Sequence, residues 1–195
     1  MSPPPIVTGK DLYLELQRRQ VASPANISLI PSSWSSQLVT LSTTTHASVT
    51  LEMYEDSQGG VGGHTWLCCY LMAFHLMNLS YFPNNWYHNK SIVELGSGTG
   101  LLSLLVAKLG ATRVVATDQF QGLALLNGNI RRNGGDERVA GVELNWGDHP
   151  SLNHVLSTSD GFDMIIMSEC CYNSRYVNSE IHLQICRYCI SLIYS

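Results

Sequence analysis

The chain has 195 residues, 45% of them hydrophobic, enough for one domain with a proper core. Eleven Lys and Arg against fifteen Asp and Glu give a net charge of −4, and neither sign gathers into the run that marks a nucleic-acid or anionic-membrane footprint. The amino-terminal MSPPPIVTGKDLY lacks a signal peptide's basic and apolar regions, and no apolar run is long enough to span a bilayer, so a soluble protein of the cytoplasm, and of the nucleus as a second location, is expected.

Residues 1–60 are rich in Ser, Thr and Pro and poor in helical periodicity, with strand-like pieces near Ile27 to Ile30 and Val49 to Tyr54. They read as an amino-terminal extension with a small β element, ended by GGVGG at 59–63, and residues 61–195 read as the main domain. HTWLCCYLMAFHLMNLSYF, from His64, is an apolar helix too interrupted by His and Asn to be membranous. SIVEL is then a first buried strand, GLLSLLVAKLG a helix with Gly110 at its end, and RVVATD a second strand. QGLALLNGNIRRNGG follows as helix, VAGVELNW as a third strand, FDMIIMSE as a fourth, and Val177 to Tyr194 as a last apolar helix. Continuously apolar strands alternating with helices predict an α/β fold: a Rossmann-like, doubly wound, mostly parallel sheet covered on both faces.

Gly96, Gly98 and Gly100 follow the first strand and open a helix, the context in which a ligand presses against bare main chain beside a helix N-terminus. A dinucleotide fingerprint, G-x-G-x-x-G, needs its third glycine at position 101, where Leu101 stands. The spacing here is G-x-G-x-G, preceded by Glu94, and an acid suits a cationic amino group better than a pyrophosphate. A cofactor with an α-amino group and an adenosine but no phosphate is S-adenosylmethionine. Asp118 ends the second strand, where an adenosine ribose needs a carboxylate; its competing role is a helix N-cap, and the nearby glycines and Glu94 favour the ribose. With strand order 3-2-1-4, the glycines, Asp118 and Trp146 line one edge, so Trp146 can cover the adenine, although a lone Trp is more often core.

The motifs VELGSGTGLL, VVATDQ, LNWG, SECCY and the upstream GGHTWLCCYLMAFHL together resemble the class I, seven-β-strand methyltransferases, and specifically the family 16 protein lysine methyltransferases, over about residues 49–185. The resemblance implies that Glu94, Gly96, Ser97, Gly98, Gly100, Asp118 and Trp146 bind S-adenosylmethionine, with further contacts from Trp66 and Ser168. It places the family's acid-x-x-aromatic motif on Glu169 and Tyr172. A lysine with a pKa near 10.4 is only about one part in a thousand neutral at pH 7.4, so the acceptor must shed a proton and be aimed. Glu169 can orient the amine, and Tyr172 can wall the alkyl chain and meet its positive head. Amino-methyltransferases of nucleic acids carry Pro-Pro after the strand-four acid, which SECCY lacks, so the expected partner is a protein presenting a lysine and not nucleic acid. Arginine or small-molecule methylation, and a non-catalytic product that binds cofactor or a partner, are the alternatives. Six scattered or adjacent cysteines, of which only Cys186 and Cys189 have ligand spacing, predict no metal site. Against seven family strands this chain offers four and one further helix. The expectation is therefore a sheet truncated after strand four, its open edge inviting a covering partner.

Overall fold

A computed structural model describes residues 33–43, 48–134, 137–168 and 170. The elements are β1 (Trp34–Leu41), β2 (Val49–Asp56), α1 (Leu67–Leu76), β3 (Ser91–Leu95), α2 (Leu101–Lys108), β4 (Arg113–Asp118), α3 (Leu123–Arg132), β5 (Val139–Glu143), α4 (His149–Ser157) and β6 (Met164–Met167). Strands β3 to β6 form a parallel sheet in the order β5-β4-β3-β6, the arrangement expected for the four sequence-predicted strands. The chain runs outward from β3 through β4 to β5, then returns to the far side of β3. That reversal opens a crevice beyond the carboxyl ends of β3 and β6.

Alternation along β3 assigns its two faces. Ile92 joins the core formed with α1, α2 and α3, and Glu94 points the same way, to Ser103 of α2. Val93 and Leu95 face the opposite layer, where Leu152 and Val155 of α4 cover them. The central strand is thus buried on both sides, which is why SIVEL carries no solvent-facing position beyond its first residue.

Strands β1 and β2 form an antiparallel hairpin, and Val39, Leu41, Leu51 and Met53 enter the same core as Leu101, Leu105, Leu126 and Ile130. The hairpin's inner edge is covered by side-chain amides. Asn133 accepts the Glu52 N–H at 2.9 Å and donates to the Glu52 carbonyl at 2.9 Å; Asn129 accepts the Tyr54 N–H at 2.7 Å and donates to the Tyr54 carbonyl at 3.0 Å. Residues four apart on a helix are spaced about 6 Å along its axis and residues two apart on a strand about 6.7 Å, so Asn-x-x-x-Asn, from α3 to its C-cap, matches alternate residues of β2. An Arg132–Glu52 ion pair, with the guanidinium 4.7 Å from the Tyr54 ring, closes the same edge.

The structure departs from the sequence expectations at several elements. Strand β1 was unread, because only Val39 and Leu41 of WSSQLVTL are fully buried. Helix α1 stops at Leu76, and the residues beyond it turn and pack Phe82, Trp86 and Tyr87 together. Strand β5 ends at Glu143, short of Trp146. Helix α4 was also unread, although Asp148 caps it by accepting the Ser151 N–H at 2.9 Å and Pro150 opens its first turn. Gly110 follows the cap residue Leu109 with φ +114°, the left-handed step that ends α2. Among the described residues β6 pairs with β3 alone, and no helix is long and apolar enough to cross a membrane. The strand-like piece at Ile27 to Ile30 and the helix read at Val177 to Tyr194 lie outside the described residues.

Candidate cofactor site

The turn between β3 and α2 is held by backbone bonds: Ser97 N–H donates to the Thr117 carbonyl of β4 at 2.8 Å, and Gly100 N–H to the Ser97 carbonyl at 2.7 Å. Gly98 and Gly100 take φ of +51° and +84°, where any other residue is strained. Their surroundings differ. A Cβ on Gly100 would come within 2.6 Å of Leu126 Cδ1, so this glycine seats the turn on α3. A Cβ on Gly98 would meet the Gly62 carbonyl oxygen at 3.4 Å, so this one faces the short 3-10 turn Gly60–Gly63. Gly96 lies under the Trp146 indole and beside the Cys170 thiol, which would stand 3.3 and 3.4 Å from a Cβ there.

Glu94 has a role that its residue type alone did not disclose. Its Oε2 accepts the Ser103 backbone N–H at 2.9 Å and the Ser103 hydroxyl at 2.5 Å, so it caps the third amide of α2, whose N-cap Gly100 has no side chain to do so. The carboxyl is 2% exposed, and burial pushes its pKa up to about 7 against the opposing pull of the Ser103 bonds. Asp118 is not the cap of α3, which begins after Gly122. It instead clasps the glycine turn: Oδ2 accepts Gly98 N–H at 2.6 Å, while Oδ1 accepts Gln119 N–H at 2.7 Å. Burial raises the Asp118 pKa, and these two bonds oppose the rise.

Around the turn stand the remaining predicted residues. Trp146 is half-buried against Gly96. Trp66 is 43% exposed, and its indole N–H donates to the Val61 carbonyl at 2.8 Å, tying it to the 3-10 turn that faces Gly98. Ser168, just past β6, has a buried hydroxyl with no hydrogen-bond partner among the described residues. Next to it, Cys170 Sγ reaches the Leu95 carbonyl at 3.2 Å. Glu169 and Tyr172 lie outside the described residues. The sequence reading missed Gly62, Thr65, Thr99, Asn129 and Cys170. GGVGG was visible only as a break, Thr99 and Cys170 lay unremarked inside motifs that were read, and Thr65 and Asn129 reach the turn from distant positions. A separate groove of about 910 Å³, lined by Val93, Leu144, Leu152 and Ile165, occupies the α4 face of the sheet and not the strand ends where these polar groups converge.

A switch-point crevice, a glycine turn opening a helix and an acid on the next strand define a Rossmann-like cofactor-binding domain. The glycine turn and the buried Ser168 hydroxyl, unpartnered among the described residues, fit a polar small molecule pressed against backbone. Comparison with known proteins gives the family. The lysine methyltransferase family matches residues 45–183, and the chain belongs to it. It is 25% identical over 139 residues to methyltransferase-like protein 23 of Dictyostelium discoideum, covering 65% of this chain and 54% of that one. It is 30% identical over 141 residues to protein-lysine N-methyltransferase EFM6 of Saccharomyces cerevisiae, covering 63% and 56%. It is 35% identical over 133 residues to protein N-lysine methyltransferase METTL21A of Xenopus tropicalis, covering 61% and 55%. The chain thus spans about half the length of these curated relatives. Among solved structures, the T. thermophilus 16S rRNA methyltransferase RsmC in complex with AdoMet and guanosine aligns with a TM-score of 0.49 at 17% identity, over 70% of this chain and 33% of that one.

Proposed function

We propose that the protein transfers a methyl group from S-adenosylmethionine to a lysine side chain of a protein substrate. The observation that carries this reading is the pair of acids, buried Glu94 and half-buried Asp118, bracing a glycine turn in which Leu101 replaces the glycine of a dinucleotide site. Two carboxylates there oppose a pyrophosphate and favour a cationic ligand. The protein-lysine methyltransferase names of the EFM6 and METTL21A relatives support lysine as the acceptor.

When bound, S-adenosylmethionine supplies an electrophilic methyl on a sulfonium. In this proposal Asp118 holds the ribose hydroxyls, Trp146 covers the adenine, and Glu94, Ser97 and Ser168 bind the amino-acid end. Trp66 borders the same crevice. Glu169 accepts a hydrogen bond from the acceptor amine and orients it once its proton has left to solvent, and Tyr172 walls the alkyl chain.

The test is mass spectrometry of candidate substrate proteins after incubation with enzyme and cofactor. Methylated lysine absent from a Gly98→Val control supports the proposal, and methylation confined to arginine or small molecules overturns it. Glu169→Gln is expected to slow transfer at least about tenfold while leaving cofactor affinity within about twofold, because its task concerns the acceptor. Trp146→Ala is expected to weaken cofactor binding about tenfold by removing a ring face, as calorimetry would show.

A further inference from the structure

The back of the glycine turn is attached to the hairpin by side chains, chief among them a buried asparagine. Asn129 is fully buried on α3, and its amide makes three bonds: Oδ1 accepts Tyr54 N–H at 2.7 Å, and Nδ2 donates to the carbonyls of Tyr54 at 3.0 Å and Thr99 at 2.8 Å. Thr99 is a residue of the turn itself, between Gly98 and Gly100. Its hydroxyl meets the Thr65 hydroxyl at 2.8 Å, and Thr65 N–H donates to Glu55 Oε1 at 2.8 Å, so a second connection runs from β2 through the segment that carries Trp66. Asp118 holds the front of the turn at Gly98, and Asn129 and Thr65 hold its back at Thr99.

We infer that Asn129 is a positioning residue for the cofactor: through Thr99 it sets the glycine turn, and it makes the amino-terminal hairpin part of the binding site. The inference rests on the reading that S-adenosylmethionine binds at this turn. A left-handed turn with three glycines has large backbone freedom in the absence of constraint, and binding to an unfixed turn must offset the entropy of ordering it. One amide that satisfies two carbonyls and one N–H removes that freedom before the ligand arrives. At the end of the same helix, the cap residue Asn133 provides the control. It makes the same paired bonds to β2, at Glu52, yet its other bond goes to the Asn129 carbonyl and none reaches the turn.

The experiment compares Asn129→Ala, Asn133→Ala and Thr65→Val with the unmodified chain, by calorimetric titration with S-adenosylmethionine and by hydrogen exchange of the cofactor-free protein. Asn129→Ala is expected to weaken binding about tenfold, the loss of one buried hydrogen-bond set at the turn, whereas Asn133→Ala stays within about twofold despite a similar loss of thermal stability. Exchange at the amides of 98–101 should accelerate in Asn129→Ala and not in Asn133→Ala. Thr65→Val, which removes only the hydroxyl contact to Thr99, should fall between them and keeps the comparison available if Asn129→Ala does not fold. Equal effects of the two asparagine variants on affinity and on exchange at the turn would overturn the inference, as would a Thr65→Val chain with unchanged affinity and exchange. If the unmodified chain failed to bind S-adenosylmethionine while Asn129→Ala still loosened the turn selectively, the cofactor assignment would fall and the positioning of the turn by Asn129 would stand.

Discussion

Gly98→Val is expected to weaken S-adenosylmethionine binding more than about 100-fold, a loss of nearly 3 kcal/mol, with a smaller effect on folding. The residue takes φ +51° while its N–H is committed to Asp118, so a β-branched side chain must either strain the backbone by about 1–3 kcal/mol or break that bond. The added Cβ itself would find ordinary contact, 3.4 Å from the Gly62 carbonyl oxygen. What fills is the gap between the glycine turn and the Gly60–Gly63 turn, where the ligand backbone contact is assigned. Gly100→Val should behave differently. Its Cβ would stand 2.6 Å from Leu126 Cδ1 inside the core, so stability falls first and binding follows. Calorimetry and thermal melts on the two variants measure the contrast. A Gly98→Val chain that binds the cofactor normally would remove the glycine turn from the site.

The sheet was legible in the sequence because its strands are continuous apolar runs and the motif order fixes which of them meet. The positions of Gly96, Asp118 and Trp146 on one edge follow from that order. Glu94 stood out in the sequence as an acid beside the glycines, but its cap on Ser103 joins a strand to a helix nine residues on and leaves no trace in composition. Helix α4 has its start signal at Asp148 and Pro150, yet its buried stripe is only Leu152 and Val155, too narrow to read as amphipathic. The attachment of the hairpin was least legible. Asn129 and Asn133 bind backbone 75 and 81 residues away, and a strand's exposed carbonyls look the same in sequence whichever side chain finds them. Side-chain bonds to backbone obey geometry at both ends while constraining residue type at one end only, so the β2 sequence carries no mark of its partner.

The buried carboxyl of Glu94 makes the protein's stability depend on pH in a direction opposite to that of an ion-paired acid. Burial raises its pKa from 4.5 to about 7, so between these values the folded chain holds a proton that the unfolded chain has lost. Stability linked to Glu94 is therefore complete below pH 4.5 and is lost as pH rises through 7. At 1.36 kcal/mol per pKa unit the total is about 3 kcal/mol, most of it falling between pH 5 and pH 8. Glu94→Gln keeps a carbonyl oxygen for the Ser103 N–H and hydroxyl and has no charge to bury. The variant should match the unmodified chain near pH 5 and exceed it by about 2–3 kcal/mol at pH 8, read by denaturant unfolding at both values. Asp56 and Asp148, both lowered, titrate in both proteins and cancel in the comparison, whereas the Asp118 charge, which helps to raise Glu94, is part of the effect that Glu94→Gln removes. Cofactor binding should respond in the other sense. A ligand amino group favours the ionised acid, so affinity of the unmodified chain should climb from pH 6 to pH 8, and the climb should flatten in Glu94→Gln, which gains stability and loses affinity together. An unchanged difference in stability between pH 5 and pH 8 would mean that the carboxyl stays ionised behind Ser103. A glutamine variant that binds S-adenosylmethionine as tightly as the parent at pH 8 would confine Glu94 to its work as the cap of α2.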